Sequence, residues 1–144
     1  MVKKEVDQTA EKLLELKRGD IVLCADKDGT FTGKPRPAVI VQNTDYIEGT
    51  ESLTVCPLTT MLSVASVRLR LKPNVETGLK ELSDIEIDKV TTIRKNRVSA
   101  KIGAVTDKDQ AKINYALRVW LDLWKVDLMR GSRLGVDQKT LLGF

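Results

Sequence analysis

The sequence predicts a mostly β fold with α: a small SH3-like antiparallel barrel with a long C-terminal helix and a short N-terminal helix. Three observations carry this expectation. Short apolar runs follow one another closely between residues 20 and 105. No helical pattern interrupts them, so crossover connections between parallel strands are absent. One long amphipathic pattern follows, from Thr106 onward.

The chain has 144 residues, enough for one domain. Hydrophobic residues make up 42% and charged residues 31%, which permits a packed core and argues against global disorder. No apolar run reaches the roughly 18 residues of a bilayer span. The segment from Met1 to Arg18 is charged throughout and lacks the apolar core of a signal sequence, so a soluble, cytoplasmic protein is expected.

Residues 3–17 read as a short amphipathic helix, with Val6, Ala10, Leu13 and Leu14 near one face. Ile21 to Ala25 reads as a strand opened by Gly19-Asp20, and Asp26 to Gly29 as a turn. The stretch from Thr30 to Pro37 holds two prolines. Proline has no N–H for a ladder, so pairing is expected to begin after Pro37. Ala38 to Gln42 is an apolar strand ending at a polar turn. Glu51 to Leu58 is a third strand, stopped by Pro57. From Ser66 to Lys72, Val67, Leu69 and Leu71 alternate with Arg68, Arg70 and Lys72, the period of a half-buried strand with a basic outer face. Ile85 to Val90 alternates again, Thr91 to Arg97 reads as a connection, and Ala100 to Val105 as a last short strand. Thr106 with Asp109 fits the start of a helix whose apolar face is Ile113, Leu117, Trp120, Leu121 and Trp124, with Gly131 as terminator. Residues 130–144 carry weak structural signals and read as a tail.

Composition narrows the chemistry. There is no histidine, and Cys24 and Cys56 stand alone in apolar runs. A zinc site, a Ser–His or Cys–His pair and a histidine base are therefore not expected. The two cysteines read as buried free thiols. The net charge of +4 is concentrated between residues 61 and 105. That stretch holds Arg68, Arg70, Lys72, Lys80, Lys89, Arg94, Lys95, Arg97 and Lys101 against Glu76, Glu81, Asp84, Glu86 and Asp88. A basic surface suits a polyanion, although solvated surface charge accounts for the same composition.

The order of short motifs resembles the MazF/PemK (Kid) family of type II toxin–antitoxin toxins. Lys17-Arg18-Gly19-Asp20-Ile21-Val22 is similar to the family's opening strand. Arg36-Pro37-Ala38-Val39-Ile40-Val41 is similar to its R-P-hydrophobic run, and Val55-Cys56-Pro57-Leu58-Thr59-Thr60 to its P-x-T corner. Gly78-Leu79-Lys80, Ile87 to Ile93 and Ile102-Gly103 follow in the family's order. Each motif is weak alone; the order over residues 17–125 is specific. The chain is accordingly divided into an N-terminal extension (1–16), a toxin-like domain with its closing helix (17–129) and a tail (130–144).

The resemblance implies the MazF/CcdB type of barrel and a homodimer. It also implies sequence-selective, metal-independent cleavage of single-stranded RNA without a cofactor, and inhibition by a cognate antitoxin with a disordered acidic C-terminal segment. It carries the family's active-site arginine and threonine onto Arg36 and Thr59, and an acid used by some members onto Asp88. The chain departs from the family in its loop from Asp26 to Lys34, which lacks the usual glutamate–glutamine pair. Lys89 stands where many relatives have glutamine, and Glu86 where one branch has arginine.

The residues fit that chemistry. RNA carries its own nucleophile, the 2′-hydroxyl, so an enzyme needs positive charge on the phosphorane-like transition state and groups that move two protons. Arg36 is the candidate for the charge, because its guanidinium presents a planar fork and its backbone is stiffened by Pro35 and Pro37. Thr59 is the candidate phosphate-binding hydroxyl, with Thr60 as its substitute. Asp88 acts as base if its pKa is raised. Lys34 and Lys89 are candidates to neutralise phosphate. Arg68, Arg70, Lys72 and Arg94 are candidates to track the RNA backbone, and Phe31 to stack a base. For each of these a plain alternative stands: a salt bridge for the charges, a turn hydroxyl for Thr59, loop packing for Phe31. Two other functions compete with RNA cleavage: a non-enzymatic CcdB-like toxin that binds DNA gyrase, and an RNA-binding barrel with a decayed catalytic set.

Overall fold

The computed structural model describes residues 15–25, 34–64 and 67–123. The expected N-terminal helix, Phe31, Trp124, Gly131 and the tail lie outside the described residues.

Seven strands form the sheet: β1 (Asp20–Cys24), β2 (Arg36–Ile40), β3 (Ser52–Thr59), β4 (Arg68–Leu71), β5 (Ser83–Glu86), β6 (Thr91–Arg94) and β7 (Val98–Ala104). One helix, α1 (Asp107–Leu121), follows them. All recorded pairings are antiparallel, in the order β4-β5-β3-β2-β1-β7, with β6 on the first half of β3. β4 and β7 are the ends of this path. The fold is therefore an antiparallel sheet with one helix, and its path is open among the described residues where the sequence suggested a closed barrel.

The central strands are covered on both faces, which explains why Ala38 to Val41 is apolar without interruption. Ile21, Val39, Cys56 and Leu58 point to one side and pack with Leu71, Ile85, Ile87, Ile113 and Ala116 beneath α1. Val22, Ala38, Ile40, Leu53 and Val55 point to the other and pack with Leu16, Ile47, Ile93 and Val98. Successive residues alternate between the two clusters, as a pleated strand requires.

Two prolines correct the sequence reading. Pro37 lies inside β2, opposite Leu23, and β2 begins one residue earlier at Arg36. Pro57 lies inside β3, opposite Ala38, and the strand continues to Thr59. Along its other edge, β3 pairs β6 only as far as Val55 and β5 only from Leu58. Pro57 thus falls in the gap between two neighbours, where a missing N–H removes no ladder bond on that edge.

The run from Ile85 to Val90 is also not one strand. β5 ends at Glu86, and a 3-10 turn, Ile87–Lys89, follows. The turn keeps Ile87 in the core, so hydrophobic alternation conceals it. Thr91 to Arg97, expected as a connection, contains β6 and the 3-10 turn Lys95–Arg97. Lys95 Nζ donates to the carbonyl of Ile47, which draws this polar stretch onto the body of the protein.

α1 starts as expected. Thr106 Oγ1 accepts from the Asp109 N–H at 3.1 Å, and Asp107 and Asp109 stand in the first turn. Ile113 and Ala116 are buried against the sheet. Trp120, expected on the apolar face, is 48% exposed. The helix ends at Asp122, which adopts the left-handed conformation. No helix among the described residues is long and apolar enough to cross a membrane.

Candidate active site

Arg36 and Thr59 come from neighbouring strands. The pairing of β2 with β3 runs from Ala38–Pro57 to Ile40–Val55; Arg36 lies two residues before Ala38 on β2, and Thr59 two residues after Pro57 on β3. Both keep the parity of Ala38, Ile40, Leu53 and Val55, so both project from the same face of the sheet. Cys24 flanks Arg36 on β1, and Asp84 flanks Thr59 on β5. Arg70 lies opposite Asp84 on β4.

A cleft of about 500 Å3 brings Arg36 and Thr59 together, lined by Lys34, Arg36, Thr59, Thr60, Glu81 and Ser83 together with Pro35, Pro37, Leu58 and Met61. Arg36 is exposed and makes no hydrogen bond or ion pair among the described residues. Its guanidinium is thus available to an anion. The Met61 N–H donates to Thr59 Oγ1 at 3.1 Å. That bond occupies an oxygen lone pair and fixes the side chain, leaving the hydroxyl hydrogen for another acceptor. Thr60 is exposed beside it.

Glu81 and Ser83 were not foreseen. Glu81 is the one acid among the lining residues, and the Ser83 hydroxyl donates to its carbonyl at 2.9 Å. The sequence places the start of the strand at Ile85, which leaves both residues outside it. Only the cross-strand register, invisible in a single sequence, brings them to Thr59.

Asp88 is not brought to the cleft. It lies in the 3-10 turn four residues beyond Asp84, and Arg68 Nε and Nη2 hold its carboxylate at 3.2 and 3.3 Å. The hydrogen bond from Arg68 lowers its pKa below the ordinary carboxylate range. A general base near neutral pH needs the opposite shift.

The basic stripe is also changed by its neighbours. Arg68 pairs with Glu86 at 3.0 Å as well as with Asp88, and Lys89 pairs with Glu86 at 3.0 Å. Arg70 pairs with Asp84 at 3.0 Å. The outer face of β4 is a cross-strand ion-pair lattice rather than free positive charge, because β5 sets Asp84 and Glu86 directly opposite Arg70 and Arg68. Lys72 and Arg94 are exposed. Arg94, opposite Ser52, is seven residues of β3 from Thr59, about 23 Å along the strand.

Both cysteines are free, Cys56 buried and Cys24 half-buried. No cluster of metal-ligating side chains occurs among the described residues. A second groove, between β4 and α1, is apolar along Val67, Leu69, Ala111, Ala116 and Val119 and has no acid in its lining. Although it is the larger of the two, the grouping of charge and hydroxyl points to the cleft over Arg36.

Residues 17–121 match the PemK-like, MazF-like toxins of type II toxin–antitoxin systems. The chain is 38% identical over 109 residues to a probable endoribonuclease MazF of Mycolicibacterium smegmatis, covering 75% of this chain and 98% of that one. Its fold is similar to a mycobacterial endoribonuclease solved in complex with its cognate antitoxin, with a TM-score of 0.62 at 24% identity over 75% of this chain and 96% of that one. It is also similar to the Mycobacterium tuberculosis toxin MazF-mt6, with a TM-score of 0.61 at 22% identity over 72% and 97%. The match to the family spans the strands that build the cleft and the helix that follows them, and on it the chain belongs to the PemK-like, MazF-like toxins of type II toxin–antitoxin systems.

Proposed function

We infer that this toxin is a sequence-selective, metal-independent endoribonuclease that cleaves single-stranded mRNA in the cytoplasm through attack of the 2′-hydroxyl on the adjacent phosphate. The observation that carries this reading is the meeting at one cleft of Thr59 and Arg36, whose side chain has no partner among the described residues. The curated relative's description as an endoribonuclease supports the same chemistry and favours it over gyrase binding.

In this mechanism the scissile phosphate lies between Arg36 and the Thr59 hydroxyl. A base takes the 2′-proton, the 2′-oxygen bonds to phosphorus, and the bond from phosphorus to the 5′-oxygen breaks. The leaving oxygen takes up a proton. The products are a 2′,3′-cyclic phosphate and a 5′-hydroxyl. Arg36 stabilises the charge that gathers on the phosphoryl oxygens. Lys34 and Thr60, at the rim, bind the phosphate or its neighbour. Glu81 is the carboxylate positioned to accept the 2′-proton. Asp88 belongs to the ion-pair lattice. Lys72 is exposed and is a strand-tracking cation, whereas Lys89 is paired with Glu86.

We further infer a homodimer, a closed SH3-like barrel for the whole domain, and inhibition by an antitoxin whose disordered acidic segment complements the cationic cleft; the neighbour solved with its antitoxin supports the last of these. The test is incubation of the purified protein with a long single-stranded RNA in excess EDTA, followed by mapping of cut sites and end groups. Defined cuts ending in cyclic phosphate are expected. Intact RNA, or cleavage that requires added magnesium, contradicts the reading.

A further inference from the structure

We propose that Asp84 is a positioning residue, acting through the loop Thr60–Ser63 to hold the Thr59 hydroxyl in the cleft. The proposal rests on the role given to Thr59 above.

Asp84 stands directly opposite Thr59, yet its carboxylate bonds elsewhere. Oδ2 accepts from the Ser63 N–H at 2.8 Å, and Oδ1 from Arg70 Nε at 3.0 Å. Arg70 Nη2 reaches the Ser63 carbonyl at 3.4 Å. The acid and the arginine thus grip Ser63 at both its N–H and its C=O. The carboxylate is 1% exposed, so its bonds are not exchanged for water.

The residues between Thr59 and Ser63 lie on the surface. Thr60, Met61 and Leu62 are all exposed, with Met61 at 81%, so no apolar burial draws them down. Within this loop the Met61 N–H donates to Thr59 Oγ1. A chain of contacts therefore runs from Asp84 through Ser63 and Met61 to the hydroxyl that binds phosphate. Loosening the far end frees the Met61 amide, and the Thr59 side chain loses the bond that fixes its rotamer. The same loop carries Thr60 and Met61 into the cleft lining.

The test uses two variants of the full chain. Asp84→Asn keeps the shape and an acceptor for Ser63 but removes the charge that Arg70 needs. Arg70→Gln removes the partner from a half-exposed position, so it reports on the clamp even if Asp84→Asn fails to fold. Amide exchange at residues 60–63, measured without RNA, is expected to quicken about tenfold in both variants while the β1–β3 amides are unchanged. Single-turnover cleavage is expected to fall about tenfold with KM nearly constant, and to fall no further when either change is added to Thr59→Ala. Unchanged exchange at residues 60–63, or losses that multiply on the Thr59→Ala background, overturn the proposal. If the unaltered protein leaves RNA intact, the ribonuclease reading fails, and the exchange measurement alone decides for or against the clamp.

Discussion

Replacing Arg36 by alanine separates catalysis from folding. Arg36 is exposed at the first residue of β2 and has no partner among the described residues, so its loss breaks no internal bond. Stability is expected to change by no more than about 0.5 kcal/mol, the ordinary range for such surface sites. The effect on catalysis follows from the charge. Two unit charges about 4 Å apart interact by ~1 kcal/mol in bulk water and ~4 kcal/mol at the effective dielectric of a protein surface. Arg36 is exposed at the cleft, so the interaction falls between these two limits. Removing one preorganised donor to a transition state costs on the order of 10²–10³ in rate, about 2.7–4 kcal/mol, which agrees. Arg36→Lys keeps the charge but loses the planar fork, and it should recover part of the loss. The assay is single-turnover cleavage of a fluorescent RNA with a parallel urea titration. Cleavage by Arg36→Ala at the unaltered rate with unchanged affinity would refute the reasoning. A collapse of the urea midpoint would refute it too, because it would make Arg36 a structural residue.

Three further outcomes follow from particular contacts. Gly78 has φ +66°, and a Cβ there would stand 1.9 Å from the carbonyl oxygen of Ile102, so Gly78→Ala should destabilise the fold. Left-handed strain of ~1–2 kcal/mol and overpacking of ~1–3 kcal/mol set the scale, read from urea unfolding; a midpoint equal to wild type would contradict the close approach. The hydrogen bond from Arg70 lowers the pKa of Asp84 in the folded protein. Its stabilising effect is therefore fully present above the unfolded carboxylate value of about 3.9 and is lost as pH falls through the lower folded value. The stability gap between wild type and Asp84→Asn should be flat above pH ~5 and shrink below ~4; a gap that widens on acidification contradicts the pairing. Burial pushes the thiol of Cys56 up to about 12 and that of Cys24 up to about 11. Neither should react with iodoacetamide at pH 8 until urea unfolds the chain, and rapid labelling of the native protein would contradict this.

Much of the fold was legible because hydrophobic alternation reports burial on each strand by itself. Val67, Leu69 and Leu71 mark β4, and Thr106 with Asp109 marks the start of α1. What alternation cannot report is which strands pair, and in what register. Pro57 looked like a strand breaker because a single strand does not reveal a gap between its neighbours. The 3-10 turn at Ile87–Lys89 was missed because it keeps Ile87 buried, preserving the pattern that a strand would give. Arg68 and Arg70 looked like free cations because the acids that pair with them come from another strand.

The candidate site divides along the same line. Arg36 and Thr59 were legible through motifs that resemble a family, and the structure brings both to the lining of one cleft. Asp88 carried the motif but lies on the ion-pair lattice, where Arg68 shifts its pKa away from that of a base. Glu81 and Asp84 carried no motif. They matter through proximity alone, one at the cleft and one beneath the loop that shapes it.

Two RNAs of identical sequence distinguish this account from any other, one unmodified and one with a 2′-deoxyribose immediately 5′ of a mapped cut. Scission of the first only, leaving a 2′,3′-cyclic phosphate and a 5′-hydroxyl, is the result expected of Arg36 and Thr59 acting on a ribose oxygen. Equal scission of the deoxy-substituted strand would show that another nucleophile does the work.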